Sequence, residues 1–520
     1  MKRSVVACSC TALVLSMVLF MTSALADDTY PVPATEIRWT SILPNGRFQP
    51  VQAFIGQPAV ANSVPYTPVP QNPYMAEDPW SSFHNDGYQS DTYPYAGPLG
   101  KNPVVLSTYL APPDSTTALS AGIVFDRPND LVIAAAVKFN ATQGAAWVEF
   151  TLIDAKNLDT LARFPMPKET GVDISFRPAG TYFYLDKDNR IVVGTKDNTV
   201  WLISYAKDAE GTWTFSHDDN DTYDLTGAIP DGDTIEALQP DWSGRIWFTS
   251  KGGVVGTINT DTRGVKSTRE LMERGERIVN GHAAGEEGGV YIASTLAMYR
   301  FDADSEGNPA ITWRSTYDAG THVKEGQTDI GTGTTPTLMG DKYVTISDNG
   351  QPRMHVLVYR RDNGQLVCAE PVFQPGQASN ENSLIATDTS IIVENNFGYK
   401  DLYKDTTHGR TTKPGIARID VANGACRTVW TNELVSIPSL VSKMSLANGL
   451  IYTYSKPKGP GTTDPWYFTA IDFHTGATVY SQLAGIGLLY NNHYAGLYLG
   501  PNGTLYVGVL GGIVAMRDGK

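Results

Sequence analysis

The chain has 520 residues, 41% of them hydrophobic and 18% charged, with 49 glycines, 32 prolines, 10% aromatics and a net charge of −14. That length exceeds the usual single domain and calls for several domains or one repetitive architecture, while the Gly and Pro content is too high for a helical bundle. The acidic balance, with no basic run, excludes a nucleic-acid partner, because phosphate-backbone binding needs a dense basic face.

The N-terminus carries Lys2 and Arg3, an apolar stretch from Val5 to Met21, and Ala24-Leu25-Ala26 ahead of Asp27-Asp28. A basic start, a short apolar run and small residues at −3 and −1 predict a cleavable export signal over residues 1–26. The apolar run falls short of the roughly 20 residues a bilayer span needs, and no other run approaches that length, so no membrane span is expected. Cleavage leaves 494 residues and, with Lys2 and Arg3 lost, moves the balance from −14 to −16. It also removes Cys8 and Cys10, and the remaining Cys368 and Cys426 enter the periplasm or the exterior, where a disulfide between them can persist.

Residues 27–100 are rich in Pro, Tyr, Asn and Gln, as in Tyr66-Thr67-Pro68-Val69-Pro70-Gln71-Asn72-Pro73-Tyr74, and lack any sustained period. They read as an extended arm packed on a domain by its aromatics. Within it, Trp80-Ser81-Ser82-Phe83-His84-Asn85-Asp86-Gly87-Tyr88 places His84 among aromatics, either as a lid on a pocket or as a plug.

From Val104 onward, short β-branched and aromatic runs alternate with tight turns, the signature of many short strands. Acidic, Gly-containing hairpins recur, among them Asp208-Ala209-Glu210-Gly211, Asp362-Asn363-Gly364 and Asp472-Phe473-His474-Thr475-Gly476, with successive spacings of 43 to 60 residues. A period near 50 built from strands means propeller blades. The last repeat supplies three strands, Leu497 to Leu499, Leu505 to Val509 and Ile513 to Met516, before the chain stops at Lys520. Val104 to Tyr109 can supply the fourth, closing the ring and covering edge strands. The expected fold is therefore all-β, an eight-bladed β-propeller over residues 101–520, or seven-bladed if the most irregular repeat is miscounted.

The hairpins Tyr359-Arg360-Arg361-Asp362-Asn363-Gly364-Gln365-Leu366-Val367 and Ile471-Asp472-Phe473-His474-Thr475-Gly476-Ala477-Thr478-Val479-Tyr480 resemble the repeat of quinoprotein alcohol dehydrogenase-like (PQQ-repeat) propellers. In those proteins an apolar-Asp-x-x-Thr-Gly hairpin precedes an aromatic. The resemblance covers residues 104–520 as architecture and three or four hairpins as sequence. It implies a superfamily that includes pyrroloquinoline-quinone dehydrogenases and non-catalytic envelope scaffolds. The dehydrogenases carry an adjacent cysteine pair beside the quinone, and the mature chain has no Cys-Cys.

In such a ring, the connections between blades and those between second and third strands open on one face around the axis. Here these connections are long and polar, whereas the opposite turns are short. On that face, His322, Glu325, Asp329, Arg353 and His493 are the candidates for acid-base catalysis. His84, His282, Asn349, Asn380 and Tyr399 are candidates for ligand binding. Glu381, Asn382, Glu394 and Asn396 carry the oxygen ligands that calcium prefers. The eight histidines include no HExxH and no tight His-x-His pair, which ranks copper, like PQQ, behind calcium. The leading expectation is an exported enzyme acting on a small organic molecule at the axial mouth, with metal assistance open. The alternatives are a non-catalytic periplasmic scaffold for an envelope protein and a quinone-dependent dehydrogenase.

Overall fold

A computed structural model describes residues 49–110, 117–140, 142–172 and 180–520. The expected export signal over residues 1–26 and the first residues of the expected arm, up to 48, lie outside the described residues. Eight antiparallel sheets follow one another in chain order. Their innermost strands are Thr117–Asp126, Phe183–Leu185, Ile235–Pro240, Ala283–Ala284, Thr337–Met339, Ile385–Ala386, Lys443–Ser445 and Leu497–Leu499, which define blades 1 to 8. The ring closes as the unfinished last repeat requires. Val104–Tyr109 pairs antiparallel with Gly512–Arg517 from Val104 opposite Arg517 to Tyr109 opposite Gly512, and so completes blade 8.

Apolar side chains from adjacent blades interdigitate, so the core is a ring of interfaces rather than one centre. Blades 4 and 5 share a cluster containing Tyr291, Met298, Leu338, Ile346 and Tyr359. The repeated hairpins have a direct role in these interfaces. Gly364, at φ 70°, and Gly476, at φ 74°, end hairpins that lie flat against the tryptophan of the preceding blade. A Cβ on Gly364 would sit 2.6 Å from Trp313, and one on Gly476 2.5 Å from Trp430. The indole N–H groups then donate to the same hairpins, Trp313 to the Arg361 carbonyl at 2.9 Å and Trp430 to the Phe473 carbonyl at 2.8 Å. Only glycine permits both the left-handed turn and the close approach. On the outer strands of blades 5 and 6, Cys368 of Leu366–Val372 is bonded to Cys426 of Ala425–Asn432, with Cα atoms 5.8 Å apart.

Residues 49–100 run over blade 7 and into the axis. Phe54–Gly56 adds an outer strand to blade 7, and Thr92–Tyr93 pairs in parallel with its innermost strand. Between them, residues 76–93 plug the axis and hydrogen-bond to every blade. Inner-strand N–H groups of Phe125, Leu185, Ala284, Leu338, Ala386 and Met444 donate to the carbonyls of Trp80, Ser81, Gly87, Tyr88, Ser90 and Asp91, serving blades 1, 2, 4, 5, 6 and 7. Gln89 Nε2 donates to Gln239 Oε1 of blade 3 at 2.7 Å, and Trp80 Nε1 donates to the Leu499 carbonyl of blade 8 at 2.9 Å. To face eight strands in so few residues the backbone must turn repeatedly. Asn85, Gln89 and Asp91 adopt φ of 78°, 60° and 56°. Asn and Asp tolerate that conformation better than other non-glycine residues. Asp86 holds the coil by accepting from the N–H groups of Tyr88 and Ser90, at 3.0 and 3.1 Å, and from the Ser90 hydroxyl.

Candidate functional site

Above the plug lies a cavity of about 470 Å³ on the axis. Phe83 and His84 of the plug form its floor. Connections between blades supply Asn280, Asp329, Glu381, Asn382, Ser383, His493 and Tyr494, and the long second-to-third connection of blade 6 supplies Tyr399, Lys400 and Leu402. Leu119, Val137, Phe139, Val441 and Leu510 make an apolar wall on the blade 7, 8 and 1 side. The size and the mixture, an apolar wall with a few convergent polar groups, are those of small-molecule sites. A second cavity of about 670 Å³ lies on the opposite face, between residues 66–70 and the first turns of blades 5 and 6. Among the described residues its lining holds carboxylates but no histidine, serine or cysteine.

The floor is built on a buried charge network. Lys443, from the innermost strand of blade 7, is fully buried and pairs with the equally buried Asp91, while its ammonium also donates to the Phe83 carbonyl at 2.9 Å. The Asp91 carboxylate also receives His84 Nδ1, 3.1 Å from each oxygen. On the pocket side, His84 Nε2 lies 3.2 Å from the Ser383 hydroxyl. Burial lowers the His84 pKa and outweighs the opposing pull of Asp91, so its imidazole is neutral at neutral pH. Beside this network Glu394 accepts from the Ser442 N–H at 3.0 Å and from Asn382 Nδ2 at 3.3 Å, and burial pushes its carboxyl up to about 8.

The residues singled out in the sequence divide into three groups. His84, Asp329, Glu381, Asn382, Tyr399 and His493 line the axial cavity. Tyr399 Oη lies 2.9 Å from His493 Nδ1, and burial lowers His493 to about 4. Asp329 is held by Arg277 at 2.5 and 3.2 Å. A second group is buried around the cavity without lining it. Asn380 closes a local turn with Asn382, Asn396 bridges Glu381 N–H and the Ile437 carbonyl, and Glu394 lies beneath Asn382. Asn349 Nδ2 binds the Ala319 and His322 carbonyls at 3.1 Å each, and His282, 2% exposed, makes no hydrogen bond with either ring nitrogen among the described residues.

The third group, His322, Glu325 and Arg353, is exposed and lies outside the cavity. Lys324 donates to the Gly350 carbonyl at 2.8 Å and Ser379 to the Glu325 carbonyl at 2.5 Å, so this connection is tied to blades 5 and 6 by groups other than the His322 and Glu325 side chains. The four oxygen-bearing residues Glu381, Asn382, Glu394 and Asn396 are neighbours, but the Asn382 amide nitrogen points at both Glu394 and Asn396 oxygens, 3.3 Å from each. An N–H donor in that position repels a cation. Among the described residues no group of three or more His, Cys, Asp or Glu side chains is placed to hold a metal ion. Ser383, Asp91 and Lys443 belong to the site and were not among the sequence candidates. Only the spacing of His84 and Asp91 along one polar segment offered a signal for any of them.

No protein-family model matches the chain. An uncharacterised protein of Archaeoglobus fulgidus is 25% identical over 528 residues, covering 91% of this chain and 96% of that protein. Among solved structures, the quinohemoprotein alcohol dehydrogenase ADHIIG from Pseudomonas putida HK5 superposes with a TM-score of 0.51 at 10% identity, covering 84% of this chain and 80% of its own. This chain is an eight-bladed β-propeller. Sqt1 of Chaetomium thermophilum aligns with a TM-score of 0.49 at 11% identity, over 79% of this chain and 97% of its own. At 10% identity the dehydrogenase speaks for the fold alone. Among the described residues no helix is long and apolar enough to cross a membrane.

Proposed function

We propose that this propeller is an exported enzyme that draws a small organic substrate into the axial pocket. The observation that carries the reading is the floor of that pocket, where a neutral histidine, oriented from below by a buried carboxylate, faces a cavity of about 470 Å³. A group placed to move a proton at the floor of a recess is what general acid-base chemistry needs. The apolar wall on one side and Glu381, Lys400 and Asp329 on the other favour an amphipathic substrate. The Cys368–Cys426 bond suits an oxidising compartment and supports export.

The residues do not fit a quinone cofactor of the PQQ type. That tricarboxylate would need several cations around it, whereas among the described residues Lys400 is the one Lys or Arg in the lining, alongside Asp329 and Glu381. Both mature cysteines lie on outer strands of blades 5 and 6, away from the axis. Nor does the calcium set fit, for the reason of the Asn382 amide. The reading is tested by screening small organic acids, esters, alcohols and sugars for ligands that raise the melting temperature. Ala121, which lines the pocket, is replaced by phenylalanine to fill it. Ligands that stabilise the wild type and leave Ala121→Phe unmoved support the site, and ligands that stabilise both proteins equally contradict it.

A further inference from the structure

Three side chains at the pocket floor stand in the order of a nucleophile, a base and the group that orients the base. Ser383 Oγ is 3.2 Å from His84 Nε2, and His84 Nδ1 is 3.1 Å from both oxygens of Asp91. Ser383 lines the cavity while Asp91 is fully buried behind the imidazole. With the carboxylate at Nδ1, the proton resides there and Nε2 presents its lone pair to the serine hydroxyl. The constellation joins two parts of the chain, the irregular axial coil that carries His84 and Asp91 and the entry to blade 6 that carries Ser383, and is recognised by geometry rather than by sequence order. We infer that Ser383 is the nucleophile of an acyl-transfer reaction, that His84 is its general base and acid, and that Asp91 positions His84. This inference rests on the axial pocket being the substrate site and names the chemistry performed there.

The substrate class follows from the walls. Leu119, Val137, Val441 and Leu510 suit an apolar acyl or alkyl part, so the expected substrate is a small carboxylic ester or lactone. In the first half-reaction Ser383 Oγ forms a bond to the carbonyl carbon while its proton passes to His84 Nε2. The carbon–oxygen bond to the leaving alkoxide then breaks, and the alkoxide takes that proton from His84 and departs as the alcohol. In the second half, water gives one proton to His84 as its oxygen attacks the acyl carbon, Ser383 Oγ leaves and recovers the proton, and the carboxylic acid is released. No oxidant, reductant or metal enters the balance. Asp91 stabilises the imidazolium formed in each half, and Lys443, on the far side of Asp91, is a second positioning residue that holds the carboxylate in place.

Two probes test this on the intact mature protein: a small alkyl fluorophosphonate, read by peptide mass spectrometry, and p-nitrophenyl acetate, read as a burst of nitrophenolate. The expected result is one adduct per chain on Ser383, absent in Ser383→Ala, and a burst equal to the enzyme concentration. In His84→Gln, which keeps an N–H for Asp91, the labelling rate should fall by about 10²–10⁴-fold, the usual worth of a general base. The wild-type labelling rate should follow a single protonation with a midpoint below 6.5, since burial lowers His84 from that value. That pH profile would not arise if the contacts merely held the plug. A Ser383→Ala protein that melts like the wild type and still accepts the label overturns the inference, as does a folded wild type that accepts neither probe. If pocket ligands still distinguish wild type from Ala121→Phe in that last case, the nucleophile fails and the small-molecule site stands.

Discussion

Replacing Lys443 with methionine tests whether the plug and the propeller are joined by a charge pair rather than by shape alone. Lys443 and Asp91 are both 0% exposed, so the substitution leaves a carboxylate in the interior hydrogen-bonded to neutral His84 and without its cation, and strips the Phe83 carbonyl of its donor. Breaking a buried pair from one side costs about 3–5 kcal/mol, because the stranded charge can no longer be offset. An unfolding entropy of about 2.1 cal/mol/K per residue, over the roughly 460 described residues, gives roughly 1 kcal/mol/K, so the melting temperature should fall by about 3–5 °C. Asp91→Asn strands the ammonium instead and should cost a similar amount. The double variant Lys443→Met, Asp91→Asn removes both charges and should lose only about 1–3 kcal/mol, the scale of an unmade buried hydrogen bond. Calorimetry at several scan rates, followed by denaturant titration if the transition is reversible, measures the cycle. A Lys443→Met protein as stable as the wild type, or a double variant that loses the sum of the two single effects, would refute the reasoning.

Glu394 is raised to about 8 in the fold, so between its ordinary value of 4.5 and 8 the unfolded chain releases a proton that the native state retains. Stability is therefore lost as pH rises through that window, and Glu394→Gln should gain on the wild type from pH 4.5 to 8 in parallel melts. Trp80 is 2% exposed and latches the plug to blade 8. Trp80→Ala should cost about 3–5 kcal/mol and admit limited proteolysis within residues 76–93, detected by mass spectrometry. The disulfide closes a loop of 58 residues, so Cys368→Ser with Cys426→Ser should cost about 4 kcal/mol in the chain-entropy account. Thiol titration of a denatured, unreduced protein spanning residues 27–520 should find none, and two thiols would contradict the bond.

The parts of this molecule that repeat were legible, because their chemistry recurs. Asp472 and Gly476 announce a turn in which the carboxylate accepts from Thr475 and the glycine takes a positive φ, and a positive-φ glycine recurs in the corresponding third-to-fourth-strand hairpins at Gly211, Gly307, Gly364 and Gly424. The unfinished last repeat likewise pointed to Val104–Tyr109, since an unpaired edge demands a partner. The plug was not legible in the same way. It has no period, its turns depend on left-handed Asn85, Gln89 and Asp91, and its hydrogen bonds run to eight strands scattered over the chain. His84 and Ser383 are 299 positions apart, and Asp91 and Lys443 are 352 apart, distances at which sequence spacing carries no geometric information. The long polar connection from Thr321 to Gly333 illustrates the converse. Its position on the axial face could be read from the order of strands, but which side chains turn inward is decided by Asn349 and Lys324, which tie its backbone to blade 5 and leave His322 and Glu325 in solvent.

A crystal structure of the protein with the ligand that most raises its melting temperature tests the central claim most directly. The account predicts density at the axial mouth, resting on Phe83 and His84 and within about 4 Å of Ser383. Density in the opposite-face cavity beside Tyr66 and Asp388, with none above the plug, would contradict it.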